Sequence, residues 1–168
     1  MARARARLSL KGRALQLLSQ RDQSRLELQG KLLRHLAAEA RAQAAAGEPP
    51  AEEGGDLRGK AQAEVEAVLE WLETHRYLSA ERFVESRVHA REGRFGNRRI
   101  RAELAQHGVS LTPEQAQALR ASELERGAAV RERRFPEPPR SADERAAQAR
   151  FLANRGFSPE VIQRLLRR

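Results

Sequence analysis

Apolar residues in this chain recur three and four positions apart and never alternate for long. That spacing lines one face of a helix, whereas a half-buried strand would bury every second residue. The stripes are also narrow. Aromatic residues make up 4% of the chain, and its 40% hydrophobic content leans on alanine and leucine. These residues, with arginine, glutamine and glutamate, lose little freedom in a helix. The expectation is therefore all-α: a row of small helical units, each burying its own stripe, in place of one wide core.

Residues 1–8 read as a basic arm carrying Arg3, Arg5 and Arg7. Leu8, Leu10, Ala14, Leu15, Leu17 and Leu18 then predict a helix to about Gln20. Ser24, with Glu27 three residues on, has the form of a capping box, and Leu28, Leu32, Leu33 and Leu36 give the next stripe. Gly47-Glu48-Pro49-Pro50 and Gly54-Gly55 predict a flexible loop over about 47–59, since proline and glycine interrupt helices. A third helix is expected from about Gln62 to His75, with Val65, Val68, Leu69 and Leu72 inward and Trp71 beside them. Ser79 caps a fourth that carries Phe83, Val84 and Val88. Gly96 and Asn97 open a fifth, with Ile100 and Leu104, ending at Gly108. Thr112-Pro113 begins another, which either breaks near Ala121 or runs on to Phe135. Ser141 caps a helix through Leu152 that stops at Gly156, and Ser158-Pro159 starts the last, with Val161, Ile162, Leu165 and Leu166.

A pattern repeats within this series. A small capping residue is followed by apolar residues four and eight positions later: Ser24, Leu28, Leu32; Gly96, Ile100, Leu104; Ser158, Ile162, Leu166. Any helical hairpin shows a cap and a stripe, so spacing alone leaves coincidence open. Read as a true repeat, it divides the chain into repeat 1 over 9–78, repeat 2 over 79–120 and repeat 3 over 121–168. Stacked helix-turn-helix units of this kind would form an elongated, curved body.

The net charge is +9, almost all from arginine. Such a field favours phosphate or an acidic protein surface, and arginine pairs bidentately with either anion. An arginine bias of this kind also arises from a GC-rich genome. With no cysteine, disulfides, thiol catalysis and thiolate zinc sites are excluded. No apolar run reaches signal-peptide or membrane-span length, so a cytoplasmic protein without membrane contact is expected. His35, His75, His89 and His107 lack metal-ligand spacing, and three lie near helix C-termini, where a cation suits the dipole. No phosphate loop is present: Gly93-Arg94-Phe95-Gly96 lacks the following Lys-Ser/Thr. Glutamates such as Glu123 and Glu103, near Arg126 and Arg98, read as solvated helix-surface pairs. No cofactor, metal site or catalytic residue is expected.

The most distinctive segment is Arg91 to Arg101, which gathers five arginines around a helix N-terminus. Cations there oppose the helix dipole, so local stability does not account for them. An anion docking at open backbone N–H groups would. The expected contacts are Arg94, Asn97, Arg98, Arg99 and Arg101. Arg3, Arg5, Arg7, Lys11 and Arg13 form a second basic group, and Arg164, Arg167 and Arg168 are either a further contact or a complement to the last helix's C-terminus.

The same residues resemble a known family. Ala14-Leu15-Gln16-Leu17-Leu18-Ser19-Gln20-Arg21, continuing through Leu32, is similar to the N-terminal signature of RecX proteins. So are Val68-Leu69-Glu70-Trp71-Leu72 with Tyr77-Leu78-Ser79-Ala80-Glu81-Arg82-Phe83, and Phe95-Gly96-Asn97-Arg98-Arg99-Ile100-Arg101-Ala102-Glu103-Leu104 with the turn His107-Gly108-Val109. Phe151-Leu152-Ala153-Asn154-Arg155-Gly156-Phe157-Ser158-Pro159-Glu160-Val161-Ile162 completes the set, in order along the chain. The resemblance implies tandem three-helix repeats, binding in the groove of the RecA–single-stranded DNA filament, inhibition of strand exchange and ATP hydrolysis, and a part in tempering the damage response. A monomer that works by occupancy is the leading expectation. The alternative is a helix-turn-helix protein that binds nucleic acid directly, without RecA; such a protein would hold naked DNA tightly and lose affinity steeply with salt.

Overall fold

The computed structural model describes residues 8–47 and 57–167. Among them are nine α-helices and no strand: α1 (Leu10–Leu18), α2 (Arg25–Ala45), α3 (Leu57–Thr74), α4 (Ala80–Glu92), α5 (Asn97–Gln106), α6 (Pro113–Ala121), α7 (Glu123–Arg134), α8 (Ala142–Asn154) and α9 (Pro159–Leu166). The all-α fold matches the expectation from spacing. No described helix is long and apolar enough to cross a membrane. The chain divides into two compact units, Met1–Phe83 and Val84–Arg168, the division falling within α4.

In the first unit, α1 packs on both α2 and α3. Their stripes converge on Leu10, Ala14, Leu28, Leu32, Val65, Leu69, Leu72 and Leu78. Leu28, Leu32, Leu69 and Leu72 are wholly buried, so truncating any one to alanine costs about 2–5 kcal/mol. Arg25 of α2 reaches α3 at Glu66 and, at 2.7 Å, Glu73. Ser24 accepts from the Glu27 N–H as a cap should. The expected return bond from the Glu27 side chain gives way to ion pairs with Arg21 and Lys31. The predicted loop over about 47–59 lies mostly outside the described residues, but its end is corrected: Leu57–Gly59 already belong to α3, which starts well before Gln62. A single glycine near a helix start costs only about 1 kcal/mol, too little to break a helix whose later turns are anchored in the core.

In the second unit, α7 packs against α6, α8 and α9, around Val130, Leu152, Phe157 and Val161. Ile100, Leu104 and Leu119 are buried as well. The helix expected from Thr112 breaks at Ser122, which ends α6 and begins α7. Thr112 and Gln115 form a reciprocal capping box with Pro113 in the first turn. In the third copy of the cap-and-stripe pattern, Leu166 is buried but Ile162 only partly, and Val161 takes the deeper position.

Candidate functional site

The turn from Gly93 to Gly96 and the start of α5 are held by long-range contacts within the second unit. Gly96 N–H donates to the Arg155 carbonyl at 2.9 Å, and Arg98 N–H to the Gly156 carbonyl at 3.0 Å. The approach is close enough that a Cβ on Gly96 would lie 2.2 Å from the Phe157 nitrogen. Gly156 has φ +81°, and a Cβ there would meet Arg99 at 2.5 Å. Both positions therefore require glycine, the second also for its left-handed backbone.

Glu123 reaches the same junction. Its carboxylate accepts from Asn97 N–H at 2.9 Å, from Ser158 N–H at 3.2 Å and from the Ser158 hydroxyl at 3.0 Å. One buried anion thus caps the N-termini of both α5 and α9, where the helix dipoles favour negative charge. Two expectations are corrected here. Glu123 is only 4% exposed and is no solvated surface pair for Arg126. The first two N–H groups of α5, those of Asn97 and Arg98, are not open to an outside anion, because Glu123 and the Gly156 carbonyl already occupy them.

Asn97 is buried too. Its amide donates to the Leu119 carbonyl at 3.1 Å and accepts from Arg126 Nη2 at 2.6 Å. These bonds give Asn97 an internal role, apart from the arginines beside it. Arg126 places its remaining donors on Glu92, Phe95 and Leu119 carbonyls and on the Ser122 hydroxyl. Its five N–H groups are thereby satisfied. Burial pulls its pKa below the ordinary arginine value, against the raising influence of Glu123 and Glu92.

Outside this clamp, Arg94, Arg98, Arg99 and Arg101 are all exposed. The Arg99 guanidinium lies 4.4 Å from the Phe95 ring centre, with Arg94 and Arg155 each at 5.9 Å. Beside them a recess of about 280 Å³ is lined by Gly93, Val130 and Phe151 together with Arg94, Arg133, Arg134 and Arg155. No carboxylate lines it. Two acids of the flanking helices are engaged elsewhere: Glu103 pairs with Arg91 and Arg87, and Glu92 faces His89. Arg133, Arg134 and Arg155 were not among the expected contacts. They come from α7 and the α8–α9 turn, and only the fold brings them to Arg94.

The second basic group is less assembled. Arg3, Arg5 and Arg7 lie outside the described residues. Lys11 is exposed, with its ammonium 3.7 Å from the Trp71 ring centre, and Arg13 bonds Gln16 at 2.7 Å. Among the described residues no group of three His, Asp or Glu side chains is placed to hold a metal ion. The surface offers forked cationic donors on aromatic supports, a chemistry suited to binding phosphate or carboxylate.

Comparison with known proteins agrees with this architecture. Residues 81–111 match the family model for the second three-helix domain of RecX, and residues 121–166 that for its third. The regulatory protein RecX of Herbaspirillum seropedicae is 44% identical over 158 residues, covering 93% of this chain and 88% of that protein. The regulatory protein RecX of Leptothrix cholodnii is 43% identical, covering 99% and 93%. The crystal structure of RecX from Lactobacillus salivarius superposes with a TM-score of 0.63 at 17% identity, over 94% of this chain and 92% of that one, a likeness of fold.

Proposed function

This chain belongs to the RecX family, and from that membership we propose that it regulates the RecA recombinase by binding the RecA–single-stranded DNA filament and restraining strand exchange and ATP hydrolysis. The observation that carries the reading is the arginine surface of the second unit. Arg94 shares its recess with Arg133, Arg134 and Arg155, and Arg98, Arg99 and Arg101 stand exposed on α5, while Glu103 and Glu92 face other partners. Such a surface suits an anion from outside, either filament carboxylates or DNA phosphate. Inhibition then requires no catalytic residue and no cofactor. A bound protein that prefers the inactive filament, or that hinders addition of protomers, shifts the equilibrium by its difference in affinity for the two states. The reading makes the protein a cytoplasmic monomer, with Arg3, Arg5, Arg7, Lys11 and Arg13 as secondary contacts.

The test is the ATPase rate of the cognate RecA on single-stranded DNA, with this protein titrated far below RecA. A fall at such ratios is expected, because one bound molecule affects many protomers. Arg98→Glu with Arg101→Glu should abolish the fall while leaving helicity intact, since neither side chain bonds another described residue. Full inhibition by that variant sinks the site assignment. Inhibition only when the protein is abundant enough to coat the DNA would favour direct nucleic-acid binding, which the same carboxylate-free recess also suits.

A further inference from the structure

The chain has one tryptophan and one tyrosine, and the fold stacks them together in the first unit. Trp71 and Tyr77 lie 5.6 Å apart with their planes 18° from parallel, and the His75 ring stacks on Trp71 at 4.2 Å and 25°. Tyr77 is 50% exposed, His75 is exposed, and Trp71 is half-buried. Hydrogen bonds within the turn and from α4 hold the backbone that carries these rings. The Trp71 carbonyl accepts from both the N–H and the Nδ1 of His75. Tyr77 N–H and Leu78 N–H both donate to the Leu72 carbonyl. Arg82 Nη2 donates to the carbonyls of Arg76 and Tyr77 at 3.1 and 2.9 Å, and Arg82 also pairs with Asp22 at 3.5 Å.

The turn has a conformational cost as well. Arg76 has φ +59°, the one positive φ on a non-glycine residue among those described, in a place where helices ordinarily use glycine. A glycine would close α3 with less strain. Lys11 supplies a cation over Trp71, its ammonium 3.7 Å from the ring centre. Apolar cover for the core does not explain a ring left half in solvent on a turn so firmly fixed.

We propose that the exposed ring of Tyr77, backed by Trp71, is a stacking platform for an unpaired nucleobase of a single strand, with Lys11 and the exposed Arg76 next to it in sequence as cations for the adjoining phosphates. A fixed, exposed aromatic face near flexible cations is what sequence-tolerant single-strand binding requires. The inference goes beyond the filament reading, because it needs no recombinase.

The experiment measures binding of the full chain to fluorescein-labelled oligothymidylate, oligouridylate and an abasic oligomer of equal length, by anisotropy without RecA. Tyr77→Leu keeps apolar cover but removes the π face, and Tyr77→Phe keeps the face. Wild type should bind thymidylate more tightly than the abasic strand. Tyr77→Leu should lose about tenfold on thymidylate and nothing on the abasic strand, while Tyr77→Phe should match wild type. An equal loss on uridylate supports stacking and adds RNA as a source of the base. No loss with Tyr77→Leu, or the same loss on the abasic strand, overturns the proposal. So does displacement of thymidylate by polyglutamate as readily as by unlabelled thymidylate, which would mark a surface for acidic protein. None of these failures touches the RecA proposal, whose test uses the filament.

Discussion

Glu123 accepts three hydrogen bonds in a buried site, and its removal strands the N–H groups of Asn97 and Ser158. A buried donor left unpaired costs about 1–3 kcal/mol, so Glu123→Ala should destabilise the second unit by more than Glu123→Gln, read as the shift in urea midpoint. Glu27 gives a pH-dependent counterpart in the first unit. Burial opposes its ionisation, but hydrogen bonds from Arg21 and Lys31, with their charges, outweigh burial and bring its pKa from 4.5 to about 2. A folded-state pKa below the unfolded one stabilises fully above about 4.5 and is lost as pH falls toward about 2. Glu27→Gln should therefore flatten the decline of melting temperature across that window; an unchanged acid limb would show that this carboxylate is not responsible. Neither role was legible in the sequence. Glu123 stands three residues before Arg126, which reads as a surface pair, and its true partners lie 26 and 35 residues away.

Elements were easier to read, because their signals are local. Ser24, Thr112, Ser141 and Ser158 each mark a helix start in the chain and take that position in the fold. The stripes likewise placed Leu28, Leu32, Ile100 and Leu104 in the core. Misreadings occurred where a helix anchored by its later turns extended back through a local break signal, as at Leu57–Gly59, or where a signal had two meanings. Gly96 opens α5 as expected, but it serves chiefly to let the α8–α9 turn touch the backbone. Gly96→Ala should accordingly lower the melting temperature by several degrees. Gly93→Ala, three residues earlier with nothing within 4 Å of the added Cβ, should change it little. Similar losses from both variants would indicate that glycine is needed along this turn for flexibility and not for close approach.

At the scale of the whole molecule, a charge of +9 predicts salt-sensitive association with nucleic acid, and the fold says which charges remain available. Arg126, Arg91 and Arg25 are consumed internally, whereas Arg98 and Arg101 are not. On single strands each phosphate contact contributes about 0.7 to the slope of log affinity against log salt. The double variant Arg98→Glu with Arg101→Glu should reduce that slope by about 1.4 or more; an unaltered slope would place the phosphate contacts elsewhere. The arginine cluster near residue 98 was visible in the sequence as a run, but the recess was not, because Arg133, Arg134 and Arg155 join Arg94 only through packing of α7 and α8.

The pairing of Trp71 with Tyr77 also has an optical consequence. Both residues belong to the first unit, so ultraviolet emission from this protein originates there, and the second unit contributes only phenylalanine. Unfolding followed by tryptophan emission reports the three-helix cluster around Leu69, whereas far-ultraviolet dichroism averages over every helix. A difference between the two melting curves would resolve the stability of each half of the chain without a label.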